Sequence, residues 1–185
     1  MRKFFEKTIR SKRIYKGRLL GLRKDTIELP NKKIAQREIV EHPGAVAVIA
    51  LTKNKKMVLV KQYRKAVEEA LFEVPAGVVH RGETGAEAAK RELEEETGYK
   101  AGKIKEVLKG YVSPGYSTEL IRFFLATELS KTRPKVEEDE LIGVKLIDVD
   151  SGWRLIKSGK IKDNKTIIGI ILAKHYACTE RSRSA

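Results

Sequence analysis

A single cysteine, Cys178, excludes an internal disulfide framework, and the chain reads as one from a reducing, cytoplasmic setting. Long hydrophobic runs are missing as well. The two longest, residues 45–51 and 167–173, are core-sized and fall well short of the roughly 18 residues that a membrane span needs. The amino terminus, MRKFFEKTIRSKR, is charged throughout and lacks the apolar centre of a secretion signal. No basic stretch is interleaved with aromatic residues and no nucleic-acid-binding motif is present, so nucleic acid is not the expected partner. There is no internal repeat and no long linker.

What the chain does have is charge. Its 185 residues carry 39 Lys and Arg against 25 Asp and Glu, a net charge of +14, which suits a polyanionic partner such as a phosphorylated small molecule. Apolar residues make up 41%, enough for one packed core. Against that basic background, residues 77–99 (GVVHRGETGAEAAKRELEEETGY) hold six glutamates and no aspartate.

The chain divides by pattern into a strand-rich extension (1–40), a main domain (41–178) and a polar tail (179–185). In the extension, short apolar runs are broken by the turn Leu29-Pro30-Asn31. Residues 44–51 and 57–63 read as two strands of a hairpin across the Lys53-Asn54-Lys55 turn. A third strand, 71–74, is stopped by Pro75. Residues 104–112, 120–126 and 141–149 read as further strands. Ser151 is placed to cap a short helix through Lys157, and Asp163 or Asn164 to cap a last one. The economical reading is one α+β domain.

Residues 84–97 read as a helix. Thr84 and Glu87 form a capping box, and Gly98 suits the left-handed position just past the end. At about 100° per residue, Ala86, Ala89 and Leu93 make an apolar stripe. Glu87, Arg91 and Glu95 follow at four-residue spacing and are expected to form helical ion pairs. Glu92 and Glu96 share a face beside the apolar stripe. Any one of these glutamates alone would be an ordinary solvated residue. Two like charges on a face next to the core repel and are costly to bury, and a hard divalent cation relieves both problems.

Gly77, Glu83 and Arg91-Glu92-Leu93-Glu94-Glu95-Glu96-Thr97-Gly98-Tyr99 together resemble the complete Nudix box. The resemblance implies an α/β/α sandwich around a mixed β-sheet, here with an N-terminal β-strand extension, and hydrolysis of a nucleoside diphosphate linked to another group. It implies Glu92, Glu96 and the main-chain carbonyl of Ala76 as metal ligands, Glu95 as a further ligand in the catalytic group, Glu83 at the edge of the site, and Mg²⁺ as cofactor, with Mn²⁺ or another divalent cation possible. Arg91 would orient the glutamates.

Glu73-Val-Pro-Ala-Gly77, and Pro114 sixteen residues beyond Gly98, further resemble the ADP-ribose pyrophosphatase subfamily. That likeness implies cleavage of ADP-ribose to AMP and ribose 5-phosphate. It makes Arg37, Arg64, Pro114 and Glu119 substrate contacts, and a homodimer in which residues 1–40 engage the second copy. Asp139-Glu140-Leu141-Ile142 resembles the subfamily's acidic loop, which makes Glu138 or Glu140 the catalytic base. Gly143 departs from the acidic residue usual at that place. The alternatives are another nucleoside diphosphate sugar, an oxidised nucleotide, or a non-catalytic nucleotide- or RNA-binding domain.

Overall fold

A computed structural model describes residues 4–133 and 142–183, with side chains to residue 177. The described residues fall into two compact units, one drawn from 1–45 and 110–121, the other from 46–109 and 122–185.

The first unit is built on an antiparallel sheet in the order β1 (Lys7–Lys16), β2 (Gly21–Glu28), β3 (Ile34–Glu41). The β2–β3 turn closes where expected, with the Lys32 amide donating to the Leu29 carbonyl at 2.9 Å. β3 is tied to the segment after residue 110, where the Val40 amide donates to the Tyr116 carbonyl at 2.7 Å. All ten residues of β1, an edge strand, are exposed, including Ile9, Ile14 and Tyr15.

The second unit contains β4 (Ala45–Ala50), β5 (Lys56–Arg64), β6 (Glu69–Glu73), β7 (Ala76–Val78), α1 (Gly85–Thr97), β8 (Tyr99–Tyr111), β9 (Leu120–Lys131), β10 (Ile142–Asp148), α2 (Val149–Lys157) and α3 (Asn164–Arg183); β4, β8 and β9 each run on into the first unit. Two sheets form, in the orders β10-β5-β6 and β7-β4-β9-β8. β4 explains the layering. Its sequence, AVAVIA, has no polar side chain, so both faces must be covered, and every residue is buried. Val46, Val48 and Ala50 pack with Ala88, Ala89 and Leu93 of α1. On the opposite side Ile49 meets α3 at Gly169, where an added Cβ would stand 3.6 Å from Ile49, 3.2 Å from Met57 and 3.1 Å from Val74. Helix, sheet and helix therefore stack through one strand, an α+β arrangement.

Three expectations need correction. β4 and β5 are not a hairpin. The Thr52–Lys56 turn and the Leu51–Met57 bridge start one, but the strands then part into different sheets, because each finds other partners along its length. The helix expected from Ser151 begins at Val149, with Asp148 at its cap position. The buried stripe of α1 includes Ala88 as well as Ala89 and Leu93, with Ala86 only at its margin.

Candidate functional site

α1 is held at both ends by local chemistry. Thr84 is extended (φ −76°, ψ 156°); its hydroxyl accepts from the Glu87 amide at 3.3 Å, while Glu87 accepts from the Thr84 amide at 2.8 Å. Gly98 ends the helix in the left-handed region (φ 66°), its amide donating to the Glu94 carbonyl. The helix packs on β7, whose three residues follow the Pro75 break.

Arg91 is the hub of the charged face. Its Nε and Nη2 donate to Glu83 at 2.9 and 3.1 Å, Nη1 donates to Glu92 at 2.7 Å and to Glu95 at 3.0 Å, and Nη2 also reaches the Val78 carbonyl at 3.0 Å. Glu83 closes the preceding loop by accepting from the His80 amide at 3.0 Å. The expected Arg91–Glu95 pair forms. The expected Glu87–Arg91 pair does not, because Glu87 is committed to the helix cap. The hydrogen bonds from Arg91 hold Glu83 below the usual carboxylate range, and the same bonds raise the Arg91 pKa further.

Two glutamates turn inward. The Glu92 side chain is 12% exposed and lies directly over Gly77; a Cβ there would stand 2.1 Å from the Glu92 carboxyl carbon. Glycine is required at 77 for that approach. Burial pushes the Glu92 pKa up despite Arg91. Glu96 is 6% exposed, and its Oε2 accepts from the Ala76 amide at 3.2 Å. The fold thus brings Ala76, Glu92 and Glu96 together, while Glu95, with its side chain 39% exposed, stands further out on Arg91. Among the described residues no three His, Cys, Asp or Glu side chains converge on one point, since Arg91 draws Glu92 and Glu95 and the Ala76 amide draws Glu96. The donor set itself fits a hard cation: the inward-facing carboxylates of Glu92 and Glu96 beside a main-chain segment that a side chain at Gly77 would obstruct.

Arg64, on β5, forms a two-point bond to Glu73, Nε to Oε1 at 2.7 Å and Nη2 to Oε2 at 2.9 Å, and it lies within electrostatic reach of Glu96. The first unit carries the other expected substrate residues. Arg37 pairs with Glu6. Pro114 sits in a turn closed by the Tyr116 and Ser117 amides on the Ser113 carbonyl, and the Glu119 amide donates to Ser117 Oγ at 3.1 Å. Glu138 and Glu140 lie outside the described residues. The sequence reading missed the partners of Glu73. Lys165 and Asp163 join it in a partly buried cluster, and the only local sign was the capping position of Asp163.

A family model described as NUDIX domain matches residues 41–167. The chain belongs to the Nudix family. Nudix hydrolases generally need a divalent metal. A second model, described as nucleoside diphosphate sugar hydrolase N-terminal domain, matches residues 6–40 of this Nudix protein. The chain is 42% identical over 172 residues to an ADP-ribose pyrophosphatase of Bacillus subtilis (strain 168), covering 92% of this chain and 93% of that one. It is 43% identical over 169 residues to a methanol dehydrogenase activator of Bacillus methanolicus, covering 90% and 91%. A solved ADP compounds hydrolase shares the fold, with a TM-score of 0.84 over 95% of both chains at 18% identity. Among the described residues no helix is long and apolar enough to cross a membrane.

Proposed function

We propose that this protein hydrolyses the pyrophosphate bond of ADP-ribose to AMP and ribose 5-phosphate, with Mg²⁺ as the working cation. The observation that carries the reading is the pair of inward-facing carboxylates, Glu92 over Gly77 and Glu96 on the Ala76 amide. The similarity to the Bacillus subtilis ADP-ribose pyrophosphatase over nearly the whole of both chains supports the choice of substrate.

Glu92, Glu96 and the Ala76 carbonyl would hold the metal, with Glu95 beside them. When bound, such an ion offsets phosphate charge and lowers the pKa of a water. The chain's own residues do the rest. Arg91 fixes Glu92 and Glu95 from one guanidinium, so both keep their orientation when an anionic diphosphate arrives. Arg64, Arg37, Pro114 and Glu119 bind and orient the substrate; the arginines supply charge to the diphosphate. Glu138 or Glu140 takes the proton of the attacking water. The water oxygen bonds to one phosphorus as that phosphorus loses its bond to the bridging oxygen, which leaves with the other phosphate.

Two copies associate through the N-terminal sheet. The support is the fully exposed edge strand β1, with Ile9, Ile14 and Tyr15 on it and Phe4 and Phe5 just before it. The setting is the cytoplasm, where a lone cysteine stays reduced.

A second reading, another nucleoside diphosphate sugar, is favoured by the description of the model matching residues 6–40. One experiment separates them. The protein is incubated with Mg²⁺ and a panel of ADP-ribose, GDP-mannose and an oxidised nucleoside triphosphate, and the nucleoside monophosphate is measured. AMP released fastest from ADP-ribose is the expected result; no AMP from folded protein with any divalent cation overturns it.

A further inference from the structure

The partly buried cluster around Glu73 has no part in the scheme above beyond its contact with Arg64. Glu73 ends β6, three residues before Ala76, and is 1% exposed. Its Oε2, already bonded to Arg64, also accepts from Lys165 Nζ at 2.9 Å. Lys165 donates in turn to Asp163 Oδ1 at 2.7 Å. Asp163 Oδ2 accepts from the Thr166 amide at 2.9 Å and from its hydroxyl at 2.7 Å. The Thr166 hydroxyl oxygen accepts from the Val74 amide at 2.8 Å, which closes the circuit one residue from Glu73.

We infer that Lys165 is a positioning residue for substrate: held by Asp163 and holding Glu73, it sets the plane in which Arg64 presents its guanidinium. The inference rests on the reading of Arg64 as a substrate contact.

Three features carry it. First, the cluster has two carboxylates and two cations, so it contributes little net field, and what it gives Arg64 is geometry. Second, an arginine–carboxylate pair alone can still rock about the glutamate's terminal torsion, a broad and weakly preferred angle. A third donor on Oε2, from a different element, removes that freedom. Third, Lys165 is itself fixed. Its side chain is 20% exposed, and although burial favours the neutral amine, the charges of Asp163 and Glu73 more than compensate and keep it an ammonium. The last helix is thereby connected to the Arg64 fork, whose remaining corner, Nη1, is not engaged by Glu73.

The test is a double-mutant cycle on the full chain with Mg²⁺. KM and kcat for ADP-ribose, and the calorimetric Kd for ADP, are measured for the wild type, Arg64→Ala, Lys165→Met, the double variant and Lys165→Arg. Lys165→Met is expected to raise KM and Kd about tenfold with kcat within about twofold, the signature of lost uniform binding. In the Arg64→Ala background it should add nothing further. Lys165→Arg should recover most of the affinity. Equal effects of Lys165→Met in both backgrounds, or a lower Tm with KM and Kd unchanged, would overturn the inference. If Arg64→Ala leaves both unchanged, the substrate role of Arg64 fails, and the inference with it. If ADP-ribose is not turned over, the ADP Kd values still decide whether Lys165 acts through Arg64. Should Lys165→Met not fold, Asp163→Asn, which loosens Lys165 without removing it, is read in the same way.

Discussion

Two partly buried clusters of charge lie within the larger unit, and their central glutamates shift in opposite directions. Around Arg91, the carboxylates of Glu83, Glu92 and Glu95 share one guanidinium, with Glu96 nearby. Around Glu73, two cations face two carboxylates. Burial pushes the Glu92 pKa up and the single shared arginine does not offset it. Burial works against ionised Glu73 too, but Arg64 and Lys165 outweigh it and leave its pKa below the ordinary range. The first cluster carries an excess of negative charge, with three carboxylates on one guanidinium. The second balances its charges within the protein. Open, charge-unbalanced and closed, charge-balanced arrangements of the same residue types thus shift a glutamate's pKa in opposite directions.

The largest effect that can break this contrast is on activity. Glu96→Gln, and likewise Glu92→Gln, should lower kcat by on the order of 10³-fold, since several kcal/mol of charge stabilisation go with the metal. Circular dichroism should show the fold intact. A variant with near wild-type turnover would mean that the open cluster is not the site.

The next effect is on stability, and it has opposite signs in the two clusters. Glu73→Gln leaves Lys165 and Arg64 short of a counter-charge and should cost about 2–3 kcal/mol by urea unfolding. That is less than a fully buried pair would cost, because Arg64 is partly in solvent. Glu92→Gln in metal-free protein removes a carboxylate whose burial outweighs its bond to Arg91 and should leave stability unchanged or higher. Equal losses in both variants would erase the distinction.

Acid sharpens the same comparison. The folded pKa of Glu73 lies below its unfolded value, about 4.3, so its contribution is fully present above that pH and is lost as pH falls through the folded pKa. The stability gap between wild type and Glu73→Gln should therefore be constant near neutrality and close below about pH 4. A gap that persists into strong acid would show that the glutamate's charge is not what matters. The smallest effect belongs to the scaffold: Thr84→Ala should cost about 1 kcal/mol through loss of the helix cap, with KM unchanged.

The first cluster was largely legible in the chain because much of it is local. Thr84, Glu87 and Gly98 define α1 from within four residues of its ends. The four-residue step from Glu92 to Glu96 puts both on one helical face wherever the helix goes. What the spacing misjudged was Arg91. Its four-residue neighbour Glu87 was taken by the cap, and the guanidinium instead reached Glu83 and the Val78 carbonyl across the loop. The second cluster was not legible. Arg64, Glu73 and Lys165 lie on β5, β6 and α3, and no periodicity links positions so far apart. The supposed β4–β5 hairpin failed for a related reason: the turn is a local property, but strand partners are chosen by the whole sheet.

The sequence by itself determined the helix, its caps and the face on which Glu92 and Glu96 stand, because backbone geometry over a few residues decides those things. It also required a buried strand at β4, since six apolar residues in a row leave no side for water. Only the tertiary structure decided that Glu92 lies over Gly77, that Glu96 holds the Ala76 amide, and that Lys165 meets Glu73. Those contacts depend on where separate elements pack, and packing is settled by the core as a whole rather than by the residues that make the contact.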